Sequence, residues 1–311
     1  MRITSRERRL NSRDNPGPIM RKGRVGSTRA SKPGGIGRES VLQLLMGVGG
    51  LTIVLPFLFA ISVSLRSDGQ WLTDPLSWLP APLSLEHYDY VFDQPMVFRW
   101  AINTFVIVFS TLVGTILSCA LVAYPLARIQ FRGRSFVFVA VLATTMLPPQ
   151  VLIIPQYLLF YELGWINTPL PLILPSFFGI TGIFVFLLRQ HFRNIPREIE
   201  DAAHIDGAGH FATFIRIFLP LSRGPIAIVA ILHVVATYND FFTPVVYLQA
   251  PNQQTLAVGM AGLGRAAGAS VVSVPLSMAA ALVFVAPLVV IYLVFHRYIV
   301  DGISLSSGLK G

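Results

Sequence analysis

The chain has 311 residues, of which 53% are hydrophobic and only 13% charged. A soluble domain carries about 25% charged residues, so the composition excludes an ordinary water-soluble protein and points to a bilayer. The net charge of +9 is no nucleic-acid signature, because 11 of the 24 basic residues fall within the first forty.

Residues 1–40 mix those basic side chains with Pro16, Pro18, Gly34, Gly35 and Gly37. Such a segment has too little apolar surface to bury a core and is expected to be a disordered basic cytoplasmic tail. Retention on the cytoplasmic face and contact with anionic membrane lipid is its expected role; RNA or partner binding is the other role that the charge leaves open. No cleaved signal peptide is expected. The apolar run after Glu39 outlasts a signal core of roughly 7–15 residues and lacks a small-x-small exit before Arg66.

Six apolar stretches follow. No Asp, Glu, Lys or Arg occurs in 40–65, 100–127, 135–161, 163–188 or 266–296, and 224–247 is broken only by His233 and Asp240. Each can hold the roughly 20 residues that a helix needs to cross the hydrocarbon. Barrel strands would instead alternate over about 10 residues. The expected fold is an all-α membrane protein with six transmembrane helices at about 41–63, 100–124, 136–158, 170–188, 225–248 and 276–295. The whole forms a transmembrane domain over 41–298, with a short cytoplasmic tail over 299–311.

Local features refine this order. The loop at 64–96, with Trp71, Trp78, Pro80, Pro82 and Tyr88, suits a structured interfacial segment. Cys119, the single cysteine, lies mid-span and reads as a small packing residue, with no thiolate metal cluster. Pro148, Pro149 and Pro155 interrupt the third span, for packing or to line a solute path. The loop at 249–274, rich in Gly, Ala, Gln and Asn, reads as a flexible finger too small-sided to form a domain. Alternate loops then carry 21 basic residues on one side, including both tails, against Arg66, Arg99 and Arg265 on the other. The positive-inside rule places both termini in the cytoplasm.

The fourth and fifth spans flank a polar loop, 191–222, on that cytoplasmic side. Pro196 followed by Glu198, Glu200 and Asp201 marks a helix start. Ile199, Ala202 and Ala203 then give one apolar, small-sided face, and Gly207 permits a sharp turn. A second helix has Phe211, Phe214, Ile215 and Phe218 at helical spacing, and Leu219-Pro220 ends it. The result is a surface hairpin, either a docking element for a partner or an amphipathic connection between spans.

The residues Asp201-Ala202-Ala203, Gly207 and Ile217-x-Leu219-Pro220 resemble the EAA loop of permease subunits of ABC importers. The likeness extends over nearly the whole chain to the carbohydrate-uptake family, the second permease of maltose and glycerol-phosphate systems. It rests further on Asn103, Ala123-Tyr124-Pro125-Leu126-Ala127-Arg128, Met146-Leu147-Pro148, Ile154-Pro155, the stretch 184–192, Asn239-Asp240-Phe241 and the terminal 302–311. Asp201 stands where the family has Glu, and Tyr238 where it has Trp.

The resemblance implies a type I importer permease fold in the inner, or cytoplasmic, membrane, forming half of a path for a sugar or sugar-like solute. Glu200, Asp201, Ala202, Ala203, Asp206, Gly207, Ile217, Leu219 and Pro220 would couple it to an ATPase. The implied partners are a second homologous permease, two ATPase subunits that hold the ATP and Mg, and an extracytoplasmic solute-binding protein. This chain would bind no cofactor. By the same likeness the 249–274 loop would probe the binding protein, and residues 308–311 would touch the ATPase pair.

No Gly-x4-Gly-Lys-Ser/Thr sequence occurs, so no Walker A site for ATP is recognisable. Clustered carboxylates or histidines are not evident along the sequence either, so neither an enzyme nor a metal site is expected. Tyr238, Asn239 and Asp240 are placed to line the path or to bond helix to helix. His233, mid-span, reads as a packing residue ahead of a proton relay. A permease for an amino acid or polyamine, or a proton-coupled carrier using His233 and Asp240, are the alternatives.

Overall fold

A computed structural model describes residues 38–178, 181–266 and 272–307; side chains are described for 40–178, 181–264 and 272–294. The basic tail expected at 1–40 lies almost wholly outside these residues. The chain divides into two units, 1–52 and 53–311. In the first, the described residues open α1 (Arg38–Ser64), and every side chain from 40 to 52 is exposed. An apolar helix with all of its faces uncovered suits lipid or a partner subunit, since it has no polar face for water.

In the second unit the expected loop at 64–96 is ordered. It forms α2 (Asp68–Thr73), whose Ser67 and Gln70 make a reciprocal capping box, and α3 (Glu86–Asp93). Arg66 is 1% exposed and donates to the Asp74 carbonyl at 3.2 Å, which folds this segment back toward the end of α1.

Helix α4 (Pro95–Arg128) is a long wall of the fold. Its outward stripe is apolar, with Ile102, Phe105, Val106, Phe109, Val113, Leu117 and Leu121 exposed. Its inward stripe carries Thr104, Thr111, Gly114, Thr115 and Ser118, all buried. This inverts the soluble pattern, as expected where lipid is the outer solvent and helices meet through small and hydroxylated residues.

The third span is not a kinked helix but two: α5 (Arg134–Thr144) and α6 (Pro149–Glu162), set at 89°. Pro148 and Pro149 offer no N–H, so the ladder stops there. The hydroxyls of Thr144 and Thr145 donate to the carbonyls of Val141 and Leu142 and satisfy part of the broken end. Pro155 lies inside α6.

The fourth span is likewise divided into α7 (Leu170–Ile173), α8 (Pro175–Phe178) and α9 (Gly182–Asn194). At Gly182 an added Cβ would sit 2.6 Å from the Val141 carbonyl oxygen, so only glycine allows α9 to come this close to α5.

The polar loop forms α10 (Arg197–Ile205), α11 (His210–Thr213), a π-helical turn at Phe214–Phe218, and α12 (Leu219–Leu221). The second hairpin helix is thus irregular where a continuous one is expected. Pro220 cannot donate and its ring would clash with the carbonyl four residues back; a widened i→i+5 turn, with Leu219 N–H on the Phe214 carbonyl, relieves both.

The fifth span also departs from one continuous helix. It begins with α13 (Arg223–Tyr238), breaks at 239–241 and resumes as α14 (Phe242–Tyr247). The 249–274 loop is not a featureless finger: α15 (Leu256–Ala266) buries Leu256, Val258, Met260 and Leu263, while 267–271 lie outside the described residues. Finally α16 (Val274–Ser307) continues through most of the expected tail at 299–311. Among the described residues four helices are long and apolar enough to span a membrane, or up to six if each bent pair counts as one span. The second pair, bent by 76°, joins residues 210–221 to α13 and so does not coincide with the expected 225–248.

Candidate functional site

The polar hairpin is built from its turn outward. Pro196 occupies the N-cap of α10, with Glu198 and Glu200 in the first turn, where the helix dipole favours acids. At the other end the Gly207 N–H donates to the His204 carbonyl at 3.0 Å and the Ala208 N–H to the Ala203 carbonyl at 2.9 Å. Gly207 has φ of 82°. These bonds form a Schellman turn, which needs the left-handed residue that glycine supplies without strain.

Below the turn the hairpin is anchored. The Tyr124 ring, near the end of α4, lies 5.1 Å from Phe214 and 5.0 Å from Phe218, and Phe192 of α9 lies 5.8 Å from Phe218. Phe192 and Phe218 are fully buried. Each such aromatic pair contributes about 0.5–1.5 kcal/mol beyond its buried area. Arg128 closes the cluster: Nη1 lies 3.6 Å from Glu200 Oε2, Nη2 donates to the Ile195 carbonyl, and the guanidinium sits 4.9 Å from the centre of the Phe218 ring. One side chain therefore ties α4, the end of α9, α10 and the return turn together.

The face of α10 turned away from this anchor is open. Asp201, Ala202 and Asp206 are exposed, Ile199 is 37% exposed and Ile205 86%. Ala203 alone of the expected Ile199-Ala202-Ala203 face turns inward, at 7%. Ile217 and Leu219 are half-buried against the core, and Pro220 is exposed.

A cavity of about 560 Å³ lies among α4, α6, α8, α13 and α14. Hydroxyl and amide groups dominate its polar lining, among them Thr104, Thr111, Thr115, Gln156, Thr237 and Tyr247. His233 Nε2 stands 3.0 Å from the Thr111 hydroxyl and 3.2 Å from that of Thr237. Asp240 is the single carboxylate among the described lining residues, and its Oδ1 accepts the Thr243 N–H at 3.1 Å, holding the start of α14 after the break.

A family model described as "Binding-protein-dependent transport system inner membrane component" matches residues 114–305, more than half of the chain and all of the hairpin. The chain belongs to that family. The permease is 31% identical over 278 residues to the arabinooligosaccharides transport system permease protein of Halalkalibacterium halodurans, covering 87% of this chain and 98% of that one. It is 30% identical over 283 residues to the trehalose/maltose transport system permease protein of Thermococcus litoralis, covering 88% and 99%. Its fold matches a chain of a bacterial ABC transporter involved in the import of the acidic polysaccharide alginate, with a TM-score of 0.73 at 21% identity over 84% of this chain and 95% of that one.

Of the three residues expected on the path, only Asp240 lines the permease cavity. Tyr238 turns to α16, where its hydroxyl donates to the Phe284 carbonyl at 2.8 Å and its ring stacks on Phe284 at 4.9 Å. The Asn239 amide donates to the Val235 carbonyl. Neither residue is among those around the cavity. Sequence reasoning missed the threonines, although Thr104, Thr111 and Thr115 recur at steps of seven and four along one face of α4. Asn103 holds the turn after the fifth span: its amide donates to the carbonyls of Asn252 and Gln254, each at 3.0 Å.

Proposed function

We propose that this permease is one of two homologous membrane subunits of an importer driven by a pair of ATPase subunits and fed by an extracytoplasmic binding protein. Its solute is a sugar or sugar-like molecule, and α10 is the helix through which ATP-driven motion enters the spans. The subunit itself carries out no chemistry. The observation that carries the reading is the division of α10 into an anchored side, Glu200 and Ala203, and an open side, Asp201, Ala202 and Ile205. A partner that grips the open side pulls, through Arg128 and the aromatic cluster, on α4 and α9.

The sugar assignment is supported by the named solutes of the two bacterial and archaeal relatives and by the lining chemistry. The Thr104 and Thr111 hydroxyls already donate to the Trp100 and Ile107 carbonyls, so what they offer a polyhydroxylated solute is acceptor capacity. An amino acid carboxylate would need a cation, and a polyamine several carboxylates; the described lining has one carboxylate, already engaged with α14. His233 and Asp240 form no ion pair among the described residues, which weakens the proton-carrier alternative.

The test is Gly207→Asp in the reconstituted transporter. The substitution puts a charged side chain at the exposed, left-handed turn position that glycine occupies without strain. Loss of ATP-driven oligosaccharide uptake, with the chain present in the membrane at its normal level, is expected. Unchanged uptake overturns the coupling reading, and uptake by the wild-type chain on a pH gradient alone overturns the importer reading.

A further inference from the structure

Glu200 and His204 stand one turn apart on α10, and the turn at Gly207 returns the chain so that His210 opens α11 beside them. The two imidazole rings lie 4.9 Å apart, at 88° to each other. One ligand atom from each of Glu200, His204 and His210 lies within 4.8 Å of the other two. Neither ring makes a side-chain hydrogen bond among the described residues.

We propose that Glu200, His204 and His210 form a binding site for a divalent transition-metal ion of the zinc class. Two imidazole nitrogens with one carboxylate oxygen suit zinc, cobalt or nickel, whereas calcium and magnesium take oxygen ligands. Zinc bonds of roughly 2.0–2.2 Å in tetrahedral geometry set ligand atoms about 3.4 Å apart. His204 and His210 are both exposed, so their rings have room to turn toward such a geometry. The carboxylate is the fixed member, with Arg128 Nη1 3.6 Å from Glu200 Oε2. Glu198, Asp201 and Asp206 nearby in sequence favour a cation, against Arg197 and Arg128. Three protein ligands leave the fourth position to water. The bound ion would staple α10 to α11 across the glycine turn.

The inference rests on the hairpin geometry alone and not on the coupling reading, so the two fail separately. The test uses the full-length chain, purified in detergent with a tag free of histidine and stripped of metal with a chelator. Zinc titrated into it is expected to bind at one ion per chain, and cobalt to give the absorption of a tetrahedral nitrogen–oxygen site. Removing a supporting group outside the ligand set typically costs about 10–100-fold in affinity, so His210→Ala and, separately, His204→Gln are each expected to weaken binding at least that much. Both variants should elute like the parent chain in size exclusion, and His87→Ala should bind as the parent does. No stoichiometric binding by the parent chain, unchanged affinity in whichever of the two hairpin variants folds, or equal loss in His87→Ala overturns the proposal.

Discussion

Without the guanidinium of Arg128, the Glu200 carboxylate, 12% exposed, would keep its burial but lose its counter-charge. An unsatisfied buried polar group costs roughly 1–3 kcal/mol, and more when it is charged. Arg128→Ala is therefore expected to release α10 from the end of α4 while the aromatic cluster of Tyr124, Phe192, Phe214 and Phe218 stays packed. Amide hydrogen exchange should rise in 197–210 and not in 214–218. Lysine keeps the charge but cannot donate in a fork or stack flat on Phe218, so Arg128→Lys should fall between. In Arg128→Ala with Glu200→Ala the orphaned carboxylate is gone, and the double variant should cost less than the sum of the two single variants. Strict additivity would show that the 3.6 Å pair does not hold the hairpin. Arg128 was legible only as part of a motif, because its three contacts join residues 67 to 90 positions apart in sequence.

At the scale of elements, α15 shows why small residues mislead. The stretch 256–266 reads as a loop because Gly and Ala dominate it, yet Leu256, Met260 and Leu263 are buried at steps of four and three. In a membrane protein, small residues are packing surface as often as they are flexibility. Gly259 lets α15 lie against the Trp100 ring, where an added Cβ would collide with the indole. The same indole donates to the Pro251 carbonyl at 2.7 Å, and the Thr104 hydroxyl accepts the Leu256 N–H at 2.7 Å. Gly259→Leu is expected to push α15 off α4, at a cost typical of overpacking, about 1–3 kcal/mol. The variant should show a lower melting temperature and faster proteolysis within 249–264; an unchanged cleavage pattern would refute the contact. The six apolar stretches were readable because length and missing charge are local properties. The breaks inside three of them were only partly so. Pro148-Pro149 announces one, but the halt of α13 at Tyr238 goes with the Tyr238 hydroxyl reaching the Phe284 carbonyl of α16, 46 residues away, which no local pattern encodes.

The whole molecule divides its two polar regions between different levels of α4. Thr104 and Thr111 of the cavity lie in its first half, and Tyr124 and Arg128 of the hairpin anchor lie in its last turn. With a rise of 1.5 Å per residue, Thr111 and Arg128 are about 25 Å apart along the axis, nearly the thickness of the hydrocarbon core. Helix α4 thus connects the hydroxyl-lined cavity to the hairpin, and the coupling proposed above requires that the hairpin face the side where ATP is available. The basic residues, 21 on the side of the hairpin against three on the other, predict that it does. Cys119 is fully buried, so a cysteine introduced at an exposed site reports without removing it. Ile205→Cys, on the open face of α10, should react with a membrane-impermeant maleimide only after permeabilisation. Thr73→Cys, at the end of α2, should react in intact cells. The reverse pattern would put α10 beyond the reach of any cytoplasmic ATPase and would leave the open face of the hairpin to a partner outside the membrane.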